Sequence, residues 1–250
     1  MPADPPIPPI PPSPAAPRPA GPPPPLVDSS AHVFVADLGE PVLVDEDAHH
    51  LGRVLRLRDG EVVTASDGEG RWRSCVFVRG ALEPTGPVLM SVQPSPAIAV
   101  AFAVPKGDRP ELIVQKLTEI GADVIVPMMT ARSIVRWDAP RARKHGERLS
   151  RVAREAAMQS RRTRLPRVEI LTTFTEVVTR PGAAVAVPGG ASPVVSTPLV
   201  LIGPEGGWSP AELEAATATI GLGDHVLRAE TAAIVACTLL VAARARSVDT

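Results

Sequence analysis

The sequence predicts an α/β protein in two parts, a small β-barrel followed by a mostly parallel sheet covered by helices. Three observations predict it. Six short apolar stretches separated by turn signals occupy residues 31–92, strands alternate with helices from residue 94 onward, and a proline-rich segment stands before both. The organisation expected is a tail over 1–27, a barrel over 28–93 and an α/β domain over 94–250.

Fourteen of the 30 prolines lie between Pro2 and Pro25, where the only charged residues are Asp4 and Arg18. Proline fixes φ and carries no N–H, so a solvated, extended tail of polyproline character is expected. The barrel strands are read at His32–Val35, Pro41–Val44, Val54–Leu57, Glu61–Ser66, Arg73–Val78 and Val88–Val92, broken by Asp59-Gly60, Asp67-Gly68 and Glu83-Pro84. On such a strand Arg56 and Arg58 leave from one face and Leu55 and Leu57 from the other.

The second part opens with a strand at Ile98–Val104 and a helix over Arg109–Ile120, with Ile113, Leu117 and Ile120 on one stripe and Gly121 as its stop. A strand at Val124–Pro127 and a long basic helix within Arg141–Ser160 follow. Strands are expected at Val168–Leu171, Ala184–Val187 and Leu199–Ile202, then a helix from Pro210 to Ile220, a short strand His225–Arg228 and a final helix from about Ala232 to Arg246. The Gly189–Ser196 stretch reads as a flexible linker.

Composition narrows the function classes. With 44% hydrophobic residues the chain can bury a core, which excludes a generally disordered, collagenous or fibrous protein. Only Cys75 and Cys237 occur, too few for a disulfide framework or a cysteine-rich zinc site, and no metal is expected. The longest uncharged apolar run, Thr231–Ala243, is shorter than the ~18 residues of a membrane span, and no signal-peptide pattern opens the chain, so a cytoplasmic protein is expected. The net charge of −1 conceals a local excess: residues 132–167 hold 12 Lys+Arg and three Asp+Glu, a difference of +9. Such a stretch suits a polyanion, although a solvated helix face would look the same.

The chemistry concentrates near the C-terminus. Ser209, Pro210 and Glu212 form a capping box at a helix start, which makes Gly203-Pro204-Glu205-Gly206-Gly207-Trp208 a loop at the carboxyl end of a strand. Ligands bind there in open α/β sheets. Glycines at 203, 206 and 207 let a ligand edge approach backbone N–H and C=O groups, or simply make a tight turn. The loop is neither GxxxxGK[ST] nor GxGxxG, so triphosphate and nicotinamide readings weaken. A second loop, Gly221-Leu222-Gly223-Asp224, leads into Val226–Thr231, where Thr231 is placed to cap the last helix and Arg228 and Glu230 could form an exposed ion pair. Two such loops at neighbouring strand ends could wrap one ligand.

These residues resemble a known family. Leu201-Ile202-Gly203-Pro204-Glu205-Gly206-Gly207-Trp208, then Leu222-Gly223 and Leu227-Arg228-Ala229-Glu230-Thr231-Ala232, are similar to the C-terminal signature of the ribosomal RNA small subunit methyltransferase E family, of the SPOUT class. The resemblance extends to Lys106-Gly107-Asp108, Gln115-Lys116, Glu119-Ile120-Gly121, Arg132-Ser133, Glu155-Ala156 and Gln159-Ser160, and in the first part to His50-Leu51 and Val54-Leu55-Arg56. It implies a PUA-like β-barrel, a trefoil-knotted α/β domain, a homodimer, S-adenosylmethionine as cofactor, and methylation of N3 of one uridine in 16S rRNA of the small ribosomal subunit.

The resemblance also implies sites. Cofactor contacts are expected at Leu201, Ile202, Gly203, Pro204, Glu205, Gly206, Gly207, Leu222, Gly223, Val226, Leu227, Arg228, Glu230, Thr231 and Ala232, and RNA contacts at Arg53, Arg56, Arg132, Arg161 and Arg162. Arg162 takes the family position; Arg161 departs from it, since a small residue usually stands there. Uridine N3 must lose a proton before it attacks a methyl already activated by positive sulfur, so no metal or covalent nucleophile is needed. Arg228, permanently charged, suits stabilisation of the uracil anion. Glu205 is the candidate to orient the site or take the proton, with bonding of its own turn as its structural alternative. His225 is either structural or catalytic. The alternatives are a non-catalytic RNA-binding or ribosome-assembly factor on the same fold, and a SPOUT enzyme acting on a tRNA ribose.

Overall fold

The computed structural model describes residues 29–247; the proline-rich tail lies outside them. The first unit is a mixed five-stranded sheet of β1 (Ala31–Phe34), β2 (Val62–Ser66), β3 (Arg71–Val78), β4 (Ala81–Pro84) and β5 (Leu89–Met90). Its order is β1-β2-β3-β4 with β5 also on β3, and β1 runs parallel to β2 while the other pairs are antiparallel. Among the described residues no ladder closes β1 onto β4 or β5, so the expected barrel takes the form of this mixed sheet. Val33, Leu51, Val63, Ala65, Cys75 and Phe77 fill its core.

Two expected strands are absent. Residues 41–44 have no regular structure, and α1 (Asp45–His49) runs into a π-helical turn over His50–Val54. Asp45, Glu46 and Asp47 in the first turn favour the helix through its dipole. The deciding contact is tertiary, because Leu51 is buried beneath the sheet while Val54 and Leu55 stay exposed. Arg56 has φ +54°, left-handed backbone that no strand contains, so Arg56 and Arg58 do not share a strand face. Conversely β4 forms where Glu83-Pro84 was expected as a break. Arg79 and Gly80, both at positive φ, make a two-residue hairpin turn that pairs Val78 with Ala81, and Pro84 falls at the strand's end.

The second unit is a seven-stranded parallel sheet of order β12-β10-β11-β6-β7-β8, with β9 (Thr172–Thr173) beside β7. Its strands are β6 (Ala99–Ala103), β7 (Val124–Met129), β8 (Arg167–Val168), β10 (Ala183–Ala191), β11 (Leu199–Ile202) and β12 (Thr219–Ile220). Adjacent residues of one strand serve opposite faces. Val100 and Phe102 pack under α2 (Arg109–Ile120), α3 (Ala139–Gln159) and α6 (Ala229–Ser247), whereas Ala101, Val185 and Leu201 pack with α4 (Phe174–Val178) on the other side. Helix α4 escaped the sequence reading, although Thr173 and Glu176 form its capping box.

Helix α5 (Pro210–Ala215) is shorter than expected: Ala216 turns extended, and Thr219–Ile220 become edge strand β12. Residues 225–228 form no strand, and α6 starts at Ala229, so Thr231 lies inside the helix and does not cap it. On β10 both Ala186 and Ala191 pair with Ile220, so residues 187–190 loop outward between them. Gly190 and Gly221 cross there in backbone contact; a Cβ on Gly221 would stand 2.5 Å from the Gly190 carbonyl oxygen. The start of the expected linker, residues 189–191, thus belongs to β10 and its crossing, while residues 192–196 form an irregular connection with a turn.

Arginines in and after α3 join the units. Arg154 donates to Asp47 at 2.6 Å and to the Phe34 carbonyl at 3.2 Å, and Arg164 donates to the Ser91 carbonyl at 2.9 Å.

Candidate functional site

The outward segment of β10 and the loops after β11 and β12 emerge side by side at the carboxyl edge of the sheet and enclose a pocket of about 240 Å³. The middle loop is shaped by its own hydrogen bonds. Gly207, at φ +68°, closes a turn by donating its N–H to the Pro204 carbonyl at 2.8 Å. Ser209 and Glu212 then cap α5 reciprocally. The buried Glu212 carboxylate also accepts from Ala131 N at 2.8 Å, which ties this loop to the one after β7.

Trp208 forms a wall. Its Nε1 donates to the Ala186 carbonyl at 2.9 Å, and its ring tilts against Phe174 at a centroid distance of 5.2 Å. A Cβ on Gly203 would stand 2.9 Å from that ring, so only glycine lets strand β11 pass beneath it. Opposite, Leu222 and Leu227 pack on the core, and Ala229 and Ala232 present the small, buried first turn of α6. The last residue before α6 accepts its first bond, from Ala232 N to the Arg228 carbonyl at 2.8 Å.

The pocket gathers most of the expected residues: Ile202, Gly203, Pro204, Glu205, Gly207, Leu222, Gly223, Val226, Leu227, Arg228 and Ala232 all line it. Leu201 does not, because strand alternation turns its side chain into the opposite core. Gly206 faces outward, where its carbonyl accepts from Arg132 Nη1 at 2.9 Å. Glu230 and Thr231 stand in the first turn of α6 outside the lining, and Glu230 Oε2 is buried without a hydrogen-bond partner. Arg228 and Glu230 form no ion pair; the guanidinium of the exposed Arg228 has no hydrogen bond or ion pair among the described residues. Glu205 is instead bonded to Arg109.

Ala186, Val187, Pro188, Trp208 and Ala229 also line the pocket and were not among the expected contacts. The end of the Ala184–Val187 strand pointed toward the first three, and Trp208 and Ala229 sit within the motifs themselves. His225 lines the pocket as well, exposed at its mouth.

The basic candidates separate by environment. Arg53 and Arg56 are exposed on the helical connection of the first unit. Arg161, at φ +58°, bonds the carbonyl and hydroxyl of Ser29. Arg162 is a structural cation: its guanidinium donates to the carbonyls of Thr118 and Ala122, both at 2.8 Å, and lies 3.8 Å from Asp123. Burial draws it below the usual guanidinium range even with Asp123 alongside. It thereby braces the end of α2 against the segment that follows α3. Among the described residues no group of three or more His, Cys, Asp or Glu could hold a metal, and burial pushes the Cys237 thiol up to about 12. No described helix is long and apolar enough to cross a membrane.

Comparisons with known proteins agree in both units. Residues 93–241 match the RNA methyltransferase domain family and residues 43–79 the RNA methyltransferase PUA domain family. Ribosomal RNA small subunit methyltransferase E of Mycobacterium tuberculosis is 37% identical over 80% of this chain and 86% of its own length, and that of Bacillus subtilis 29% over 79% and 88%. Among solved structures, ribosomal RNA small subunit methyltransferase E of Neisseria gonorrhoeae, bound to S-adenosylmethionine, is 25% identical with a TM-score of 0.70, covering 83% of this chain and 94% of that one. A methyltransferase of Legionella pneumophila, in complex with the same cofactor, is 25% identical with a TM-score of 0.71, covering 87% and 98%.

Proposed function

The chain belongs to the ribosomal RNA small subunit methyltransferase E family, and we propose that it methylates N3 of one uridine in 16S rRNA. It is an S-adenosylmethionine-dependent rRNA methyltransferase. The observation that carries the reading is the pocket itself, built where three neighbouring strand ends meet and walled by Trp208, Ile202, Leu222 and Leu227. Apolar walls and close backbone edges fit a nucleoside. Glycine at 203 admits the Trp208 wall, and the small Ala229 and Ala232 leave the interior open.

When bound, the cofactor supplies an electrophilic methyl on a cationic sulfur. The chain's residues supply orientation and charge. Arg228, whose guanidinium has no partner among the described residues, stabilises the negative charge that spreads onto the uracil oxygens once N3 loses its proton. Glu205, held by Arg109, orients the loop that faces the reacting atoms or accepts that proton. RNA recognition falls to Arg53, Arg56 and Arg132 together with the first unit, and we place the division between PUA-like and SPOUT domains near residue 94.

Further expectations draw support from geometry. The Gly190–Gly221 crossing suits a trefoil knot. Val226, 93% exposed beside the pocket, and the half-exposed Ile234 and Val235 of α6 suit a homodimer. A cytoplasmic location follows from the rRNA substrate.

The test is transfer of label from S-adenosylmethionine to small subunits or naked rRNA from a strain lacking this modification, with the product mapped by mass spectrometry. Label at N3 of one uridine is expected. Label on a ribose or on tRNA would overturn the proposed atom, and absence of cofactor binding by calorimetry would favour a non-catalytic assembly factor. Arg228→Ala should lower kcat by about 10²–10³ while leaving cofactor affinity within a few-fold.

A further inference from the structure

The basic stretch 132–167 divides on the structure into two halves with different surroundings. Four of its later arginines face inward or across the domain junction: Arg154 on Asp47, Arg161 on Ser29, Arg162 on Thr118 and Ala122, Arg164 on the Glu69 and Ser91 carbonyls, whereas Arg151 and Arg167 are exposed. In the earlier half Arg136, Arg143 and Lys144 are exposed, and their side chains have no hydrogen-bond or ion-pair partner among the described residues. Arg143 and Lys144 turn away from the buried stripe of α3, Leu149, Ala153, Ala156 and Ala157. The acidic residues of this half are Asp138 and Glu147, and Asp138 is held as the N-cap of α3, accepting from Arg141 N at 2.9 Å.

An aromatic pair stands within this basic surface. Trp137 and His145 stack with centroids 4.1 Å apart and planes 5° from parallel, both only partly buried, with Trp137 anchored on the core of the second unit. The surface is continuous with the pocket. Arg132 bonds the Gly206 carbonyl, and Ile134 and Val135 line a crevice shared with Pro204, Glu205 and Ala229.

We propose that residues 132–138 and the first two turns of α3 form a track for single-stranded RNA leading to the cofactor pocket. An unpaired base extends the Trp137–His145 stack, and Arg136, Arg143 and Lys144 take the flanking phosphates. The proposal rests on the rRNA methyltransferase reading. Its chemistry follows from that substrate: a base methylated on its pairing edge must leave its duplex, and unpaired bases are held by aromatic faces flanked by cations. The later arginines are mostly turned to partners inside the protein or across the junction, which is why the earlier half carries the track.

The test compares the full chain with three variants on unmodified 16S rRNA, measuring affinity at several salt concentrations together with methyl transfer, cofactor affinity and Tm. Arg143→Glu with Lys144→Glu should weaken rRNA binding at least about tenfold and lower the slope of log K against log salt by about two. His145→Ala should weaken binding about five- to tenfold with little change in slope. Trp137→Phe, which keeps a stacking ring, should stay within about twofold of wild type. Cofactor affinity should not move in any variant, and Tm shows that each is folded. Wild-type affinity and slope in the charge-reversed variant, or wild-type affinity in His145→Ala, overturns the track. A wild-type chain that binds the cofactor and the rRNA but transfers no methyl overturns the functional reading instead, and the affinities still decide the track.

Discussion

Arg109, the first residue of α2, bonds Oε1 of Glu205, and so links the loops that follow β6 and β11, two strands paired side by side in the sheet. Both side chains are more than a third exposed, so the pair adds at most about 1 kcal/mol to stability. Its effect is on position, because it holds the carboxylate at one edge of the cofactor loop. Arg109→Ala and Glu205→Gln should each lower kcat/KM, and the double variant should be no worse than the weaker single, with a coupling energy of about 0.5–1 kcal/mol in the cycle. A Glu205→Gln enzyme without activity beside a fully active Arg109→Ala enzyme would show instead that Glu205 works alone as the base.

Gly203 and Trp208 make the pocket's shape a matter of one missing methyl group. Trp208 cannot retreat without losing its bond to Ala186 or its contact with Phe174. The Gly203→Ala chain should therefore lose about 1–3 kcal/mol of stability and bind S-adenosylmethionine at least about tenfold more weakly. Calorimetry on the two proteins checks it; unchanged affinity would mean that the wall moves freely.

The parts of the fold governed by local pattern were legible in the sequence. Arg109–Ile120 and Leu199–Ile202 carried their own stripe, cap or apolar run, and both occur with the boundaries expected. What failed depended on distant partners. Leu51 turns Val54–Leu57 away from a strand by burying beneath the sheet, and Ile220, pairing with two residues of β10, bends out the segment that brings Val187 and Pro188 to the pocket. Charge counting located the basic stretch but could not distinguish Arg143, in solvent, from Arg162, held on two carbonyls.

That difference can be measured. Arg162 has a side chain only 16% exposed, and its removal leaves the Thr118 and Ala122 carbonyls short of a donor in the interior. Truncating one member of a buried charged network typically costs about 3–5 kcal/mol. Arg162→Ala should thus lower Tm by several degrees, and Arg162→Lys should recover little, since one ammonium cannot reproduce the fork. A variant with wild-type Tm and reduced rRNA affinity would return Arg162 to the RNA-binding set.

The last prediction concerns His32, which is buried in the first unit with Nε2 2.9 Å from the Ser66 hydroxyl. Burial, reinforced by the positive charge of Arg161, pushes its imidazole down from 6.5 to about 4. The folded chain therefore keeps His32 neutral between those values while the unfolded chain takes up a proton. Where the unfolded state binds more protons, stability rises with pH, so the neutral histidine's contribution is fully present above 6.5 and is lost progressively as pH falls toward 4. A shift of this size corresponds to about 3 kcal/mol in total, of which about 2 kcal/mol should be gone by pH 5. Denaturant unfolding of the wild type and of His32→Gln at pH 7 and pH 5 isolates this contribution from the carboxylates titrating in both. The wild type should lose about 2 kcal/mol more than the variant over that interval, and equal losses would show that His32 is not held neutral by the fold.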